Sequence, residues 1–297
     1  MTEDSMVVGI TGASGHLGRQ TAELILERLD PSQLVLLTRT PGALADLAAR
    51  GAIVRRADFD EPRSVLDALH EVDRMLLISA VALGARVQQH TAAIEAAQRS
   101  GVSHVLYTSI PNPLDANPAG VVPDHRATEE ALAASGLAWT FLRNNLYAEY
   151  QVPTAAKAIA SGRLITNAGS GRTAYVSRDD CAAAAAAVLA TDGHENKAYD
   201  ITGPEAISAA ELAALAAEIS GKTIEVVSLE DGAFVASLTG ADVPEVAAGL
   251  FASFGAAARG GYLEDVSGAV EDLTGESPRS LREVLLAARG ELIGAEG

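Results

Sequence analysis

The feature that most limits how this chain can fold is an alternation along its first half. A short apolar run is followed by a turn and then by a longer stretch with helical spacing. Met6-Val7-Val8-Gly9-Ile10 reads as a buried strand, and beyond a glycine-rich turn a helix runs from about His16 to Leu29. Leu34-Val35-Leu36-Leu37-Thr38 is a second strand, with Pro41 at a helix start, where the missing N–H has no cost. Ala52-Ile53-Val54-Arg55 is a third, and Glu61-Pro62 opens the helix after it. Met75-Leu76-Leu77-Ile78-Ser79, His104-Val105-Leu106-Tyr107-Thr108 and Ala138-Trp139-Thr140-Phe141-Leu142-Arg143 complete the series, and Lys197-Ala198-Tyr199-Asp200-Ile201-Thr202 looks like one more. Continuous apolar strands alternating with helices predict an α/β fold, a Rossmann-type doubly wound parallel sheet of six to seven strands covered on both faces.

Three helices end on Ser-Gly (Ser100-Gly101, Ser135-Gly136, Ser220-Gly221), where glycine suits the left-handed residue that stops a helix. After residue 145 the alternation loosens. Ser177-Arg178-Asp179-Asp180 reads as the capped start of an alanine-rich helix over 181–190, and from Gly203 onward helices predominate, with one strand-like run from Thr223 to Val227. The expected division is a sheet domain of residues 1–145 plus about 176–203. Beside it stands a smaller, mostly helical lobe of about 146–175 plus 204–297. Ligands of open α/β sheets bind beyond the carboxyl ends of the strands, so the lobe should cover the site.

The motif between strand one and helix one is Thr11-Gly12-Ala13-Ser14-Gly15-His16-Leu17-Gly18. Gly12 permits a tight turn, Gly15 lets backbone N–H groups approach a pyrophosphate, and Gly18 allows close packing of helix on strand. The helix N-terminus adds partial positive charge. Gly12 to Gly18 are therefore expected to bind a dinucleotide, which makes the sheet domain an NAD(P)-binding one. The end of strand two reads which dinucleotide: Thr38-Arg39-Thr40 carries no acid until Asp46. Arg39 suits a 2′-phosphate through charge-assisted hydrogen bonds, so NADPH is favoured, with NADH left open. Asp58 and Phe59 after strand three are candidates for adenine contact, and Ser79 and Ala80 after strand four for the nicotinamide-side ribose.

Composition narrows the function classes. The net charge is −17, with only Lys157, Lys197 and Lys222 as lysines, which disfavours binding to nucleic acid or anionic membranes. The sole cysteine, Cys181, excludes an intrachain disulfide and a cysteine-cluster metal site. The first five residues carry acids where a signal peptide has basic residues, and the apolar run from Cys181 to Ala190 is about half a bilayer span. A cytoplasmic protein is expected. No HExxH, P-loop lysine or GxSxG is present, and His70, His90, His104 and His194 are scattered, so no metal site is expected.

With those residues laid out, the chain resembles an atypical short-chain dehydrogenase/reductase of the NmrA-like branch. It is similar to the type-2 NAD(P)H:quinone oxidoreductases and the triphenylmethane reductases. The likeness spans nearly the whole chain and rests on TGASGHLG at 11–18, LTRTPGALADLAARG at 37–51, RRADFDEP at 55–62, LLLIS at 75–79, GVSHVLYTS at 101–109, FLRNNLY at 141–147, TNAGSG at 166–171 and GHENKAYDITG at 193–203. The resemblance implies NADPH held by the glycine loop and Arg39, with Ser109 also at the cofactor. It places Asn144 and Tyr147 near the nicotinamide, and a small lobe over an electron-poor aromatic acceptor.

Many short-chain reductases use Tyr-x-x-x-Lys to pass a proton to an alkoxide, and no tyrosine here has a lysine four residues on. Where the resemblance would put that pair stand His125 and Glu129. The substrate should therefore be intrinsically hydride-hungry: a hydroquinone product has a pKa of roughly 10, so a weak donor or water can protonate its anion. A triarylmethyl cation needs no proton. Tyr147, His125 and Asn144 are the catalytic candidates, His125 oriented by Asp124 or Glu129, though a surface position is the expectation for that histidine. The leading expectation is an NADPH-dependent reductase of quinones or similar acceptors. The alternatives are a non-catalytic NAD(P)-sensing regulator and a reductase of triarylmethane dyes or an activated ketone or enone. A homodimer is compatible with the chain, but no residue argues for it.

Overall fold

A computed structural model describes residues 6–80 and 84–294; the acidic residues 1–5 lie outside them. In the first half, strands and helices alternate as β1 (Val8–Ile10), α1 (His16–Ile25), β2 (Leu34–Thr38), α2 (Ala45–Ala49), β3 (Ile53–Arg56), α3 (Pro62–Ala68), β4 (Arg74–Leu77), α4 (Arg86–Ser100), β5 (His104–Ser109), α5 (Val122–Ala134) and β6 (Ala138–Asn144). Then come α6 (Gln151–Ser161), β7 (Arg163–Thr166), β8 (Arg172–Thr173), α7 (Arg178–Ala190) and β9 (Lys197–Ile201). The remainder is β10 (Ile207–Ser208), α8 (Ala209–Ser220), β11 (Glu225–Ser228), α9 (Asp231–Thr239), α10 (Glu245–Arg259), α11 (Ala269–Thr274), α12 (Leu281–Ala287) and α13 (Arg289–Ile293).

Seven strands form one parallel sheet in the order β3-β2-β1-β4-β5-β6-β9. The period-two alternation of side chains sorts the apolar strands between two cores. Val8, Ile10, Leu34, Leu36, Leu76, Leu106 and Leu142 face α1 and α7, whereas Val35, Leu37, Met75, Leu77, Val105, Tyr107 and Phe141 face the opposite layer with α4. The alanine run of α7 lets that helix lie close against the first core, with Ala182, Ala184, Ala185 and Ala186 fully buried. Strand order reverses between β1 and β4, so the crevice beyond their carboxyl ends is the switch point at which such sheets hold ligands.

Helix α1 ends earlier than the sequence pattern suggests. Arg28 and Leu29 both donate their N–H to the Ile25 carbonyl, which closes the helix in a tight turn. The segment after Pro41 is a single 3₁₀ turn before α2. Beyond the sheet, β7 pairs with β11 in parallel and β10 with β8 antiparallel. The lobe thus holds more strand than the one run from Thr223 to Val227. Its own core joins α6, α8, α12 and α13, while Val270 of α11 packs back on the sheet. No helix among the described residues is long and apolar enough to cross a membrane.

Candidate functional site

The glycine turn lies at the switch point. Gly12 has φ +60°, a conformation that carries a high cost for a side chain, and a Cβ on Gly18 would stand 2.6 Å from the Gly12 carbonyl oxygen. Gly15 donates its N–H to the Gly12 carbonyl (2.9 Å) and forms the N-cap of α1, where no side chain caps the helix. The first-turn N–H groups of His16, Leu17 and Gly18 therefore have no intrahelical partner and stay available to an anion. Ala13 N–H donates to the Leu37 carbonyl (3.2 Å), and Ser14 Oγ shares a hydrogen bond with Thr38 Oγ1 (2.8 Å), which tie the turn to the end of β2.

Arg39 follows β2 directly and is exposed, with no ion pair among the described residues. Asp46, the first acid downstream, is occupied: Arg19 binds it while also bridging to Glu23 (3.2 Å). The edge of the crevice at β2 thus presents an unpaired cation and no free acid from the 38–46 segment. Asp58 Oδ1 accepts the Asp60 N–H (3.1 Å), and Phe59 packs edge-on against His90 with ring centroids 6.3 Å apart.

Beyond β4, Ile78 N–H donates to Thr11 Oγ1 (3.0 Å), and Ser79 N–H donates to Thr108 Oγ1 (2.8 Å). Ala80 N–H donates to His90 Nε2 (2.9 Å), and Arg86 Nε donates to the Ala80 carbonyl (2.6 Å). A Cβ on Gly12 would meet Ile78 Cβ at 3.7 Å, so this segment borders the glycine turn. The ends of β5 and β6 carry unmet hydrogen-bonding capacity. Ser109 Oγ and both amide atoms of Asn144 are buried without a partner, at 5% and 6% residue exposure. Buried polar groups rarely stay unpaired, and a ribose hydroxyl or a carboxamide matches this donor and acceptor set. A tight glycine turn, an uncapped helix end, a free arginine and these orphaned atoms fit a dinucleotide.

The catalytic candidates lie apart from the sequence-based expectation at one point. His125 is not on the surface. It is 7% exposed on the inward face of α5 with Val122, Thr128, Glu129 and Leu132, because its Nδ1 pairs with the buried Tyr107 hydroxyl (2.8 Å). Burial, then the charge of Arg86 and the proximity of His90, lowers its pKa to about 3, so the ring is neutral. Neither expected orienting acid serves it. Glu129 is held in a fork by Arg143 (3.0 and 2.7 Å), and Asp124 faces Arg86 at 3.5 Å. Tyr147 is half-buried, with the Arg178 guanidinium 5.5 Å from its ring centroid, and burial pushes its phenol above the ordinary value.

The structure adds Thr108, His90 and Arg86 to the set. Thr108 was visible only as a strand residue, and His90 only as one of several scattered histidines. Their importance depends on pairings from 6 to 29 residues away that no local pattern encodes.

The NAD(P)H-binding family profile matches residues 12–192, from the glycine turn through α7. Quinone oxidoreductase 2 of Escherichia coli is 36% identical over 277 residues, 93% of this chain and 96% of that one. An NmrA-like family domain-containing oxidoreductase of Aspergillus flavus is 29% identical over 285 residues, 93% of this chain and 92% of the other. The chain belongs to this NAD(P)H-binding, NmrA-like family. Solved structures of the family superpose over the whole NmrA-like architecture. The E. coli NADPH-dependent quinone oxidoreductase complexed with NADPH gives a TM-score of 0.92, covering 95% of this chain and 99% of its own. The Citrobacter sp. triphenylmethane reductase complexed with NADP(H) gives 0.89 at 32% identity, with coverage of 95% and 99%.

Proposed function

We propose that this protein is an NADPH-dependent reductase that passes a hydride to a quinone or a similarly electron-poor conjugated acceptor. The observation that carries the reading is a complete dinucleotide cradle beside a helix α5 whose candidate acid–base residues are engaged elsewhere. Residues 1–145 with about 176–203 form the cofactor-binding part, and about 146–175 with 204–297 the substrate lobe.

NADPH, when bound, supplies the hydride. The turn from Gly12 to Gly18 and the α1 N-terminus hold the pyrophosphate, and Arg39 meets the 2′-phosphate. Asp58 and Phe59 border the adenine, and Ser79 and Ala80 line the nicotinamide-side ribose. Ser109 and Asn144 fix the nicotinamide end through the groups they leave open. Tyr147 borders the acceptor as a packing and hydrogen-bonding surface. Its phenol is held above the usual value and no lysine stands four residues on, which leaves it a poor proton donor. His125 is neutral and bound to Tyr107, which removes it from proton delivery as well.

Without a tuned donor, a simple ketone would have to become an unprotected alkoxide. A quinone becomes a phenolate-like anion that water protonates afterwards, so orientation and exclusion of competing water suffice. A triarylmethyl cation satisfies the same requirement, in keeping with the similarity to the Citrobacter reductase. The test is loss of NADPH absorbance with a benzoquinone, a triarylmethane dye and cyclohexanone as separate acceptors. Turnover with either of the first two and none with cyclohexanone is expected. Rapid reduction of cyclohexanone would overturn the argument, and tight NADPH binding without turnover on any acceptor would favour a cofactor sensor.

A further inference from the structure

The stretch from Ile78 to Ala80 continues the line of β4 but lies beyond its ladder, and side chains from three other elements hold it. Thr11 and Thr108 take the first two N–H groups. Ala80 is held at both of its backbone groups, its N–H by His90 Nε2 and its carbonyl by Arg86 Nε. We propose that Arg86 and His90 are positioning residues for the cofactor: by clamping the two backbone groups of Ala80 they hold Ile78–Ala80 as a fixed wall beside the glycine turn. The proposal rests on the cofactor reading above.

Three observations support the clamp. First, both side chains are buried, Arg86 at 6% and His90 at 0% exposure, where an apolar residue would fill the space without desolvating a polar group. What the polar pair adds is the grip on both backbone groups of one residue. Second, the histidine tautomer is set. Nε2 can accept from Ala80 only without its own proton, so Nδ1 carries the hydrogen and donates to Thr128 Oγ1 (2.9 Å). Thr128 is free to accept there because its hydroxyl donates to the Asp124 carbonyl (2.8 Å). Third, the ring is braced on edge by Phe59 (6.3 Å) and Tyr107 (5.4 Å), and burial, helped by the neighbouring Arg86 charge, keeps it neutral. The wall so fixed reaches the turn itself, where Ile78 fills the space beside Gly12.

The experiment compares His90→Leu, His90→Gln, Arg86→Met and Thr128→Val with the wild type. NADPH affinity is read by fluorescence quenching, KM and kcat with a benzoquinone, and amide exchange over residues 78–80. His90→Leu and Arg86→Met should raise Kd and KM for NADPH about tenfold, as expected for one lost well-formed hydrogen bond, with KM for the quinone little changed. Ala80 exchange should accelerate in parallel. His90→Gln, whose Oε1 can accept the same N–H, should stay near wild type. Thr128→Val keeps the ring but frees its tautomer, so a smaller rise is expected there even if His90→Leu does not fold.

Unchanged NADPH binding in His90→Leu overturns the proposal, as does an unchanged Thr128→Val when His90→Leu is unfolded. Equal damage in His90→Leu and His90→Gln also overturns it, because that marks a role in packing. A wild-type protein that binds no NADPH overturns the cofactor reading together with this proposal, whereas a loss confined to the variants concerns the clamp alone.

Discussion

Lowering the pH from 7 to 5 should cost this protein a large share of its stability, and two histidines account for most of the effect. His90 and His125 are buried among Arg86, Tyr107 and Thr128, and burial followed by the Arg86 charge lowers their pKa values to about 4 and about 3. In the unfolded chain both titrate near their ordinary value of about 6.5. Because the folded values are depressed, the fold favours the neutral rings. Its advantage is intact above about pH 6.5 and declines as the pH falls toward the folded values. At pH 5 the unfolded chain holds nearly one proton on each ring and the native state almost none. The gap of about 1.5 pH units is then worth about 2 kcal/mol per histidine, or about 4 kcal/mol for the pair. Against a typical total of about 5–15 kcal/mol, that is readily measured. Urea unfolding at the two pH values gives the loss directly, and His125→Gln should reduce it by about 2 kcal/mol. His104 and His194 are also lowered, but they act equally in wild type and variant, so the difference isolates His125. A wild-type loss below about 1 kcal/mol, or a Gln variant with the full wild-type loss, would refute the assignment of buried neutral rings.

Arg39→Ala should weaken NADPH about 10- to 100-fold by removing charge-assisted hydrogen bonds, and leave NADH nearly untouched; equal losses in competition titrations would mean that Arg39 does not read the phosphate. Gly18→Ala places a Cβ 2.6 Å from the Gly12 oxygen and 2.8 Å from Ala13 Cα, so the turn must open. NADPH binding by calorimetry should fall at least about tenfold, and a wild-type affinity would show that the turn is not the pyrophosphate seat. Tyr147→Phe should keep kcat for a benzoquinone within about threefold, since the phenol delivers no proton; a loss of about 100-fold would make it a general acid.

The sheet was legible because parallel strands buried on both faces read as apolar runs: β2 and β5 are buried at every residue, apolar from Leu34 to Leu37 and from Val105 to Tyr107. The edge strand β3 was still readable from Ala52 to Arg55 although Ile53 is exposed, but the paired strands β8 and β10 are two residues each, too short to leave a period. The glycine turn was readable because each glycine answers a local backbone demand. His125 was not, because the hydroxyl that draws it inward belongs to Tyr107 on β5, and nothing in the α5 sequence reports that partner. Ser109 and Asn144 entered by resemblance alone. Only the folded chain shows that their polar atoms are left unpaired.

Those unpaired atoms are unevenly distributed. Among the described residues, the buried side-chain atoms without a hydrogen bond are Ser109 Oγ, both amide atoms of Asn144, Glu149 Oε2, His104 Nδ1 and Arg86 Nη1, the last ion-paired with Asp124 at 3.5 Å. All except His104 Nδ1 belong to residues at the carboxyl ends of β5 and β6 or in the connections that leave that side of the sheet. Residues at the opposite edge are tied down, as where Arg74 donates to the Leu189 (3.3 Å) and Thr191 carbonyls at the end of α7. A buried polar group left unpaired costs about 1–3 kcal/mol, so a ligand that pairs the groups at this edge stabilises the fold. That edge is also where the strand order reverses, where α1 begins uncapped and where Arg39 stands free of any acid. Of the unpaired groups, Ser109 and Asn144 are those that the bound dinucleotide would satisfy on the function proposed above. Ligand binding and folding stability are linked here, with NADPH raising the unfolding midpoint in proportion to the logarithm of its concentration above Kd.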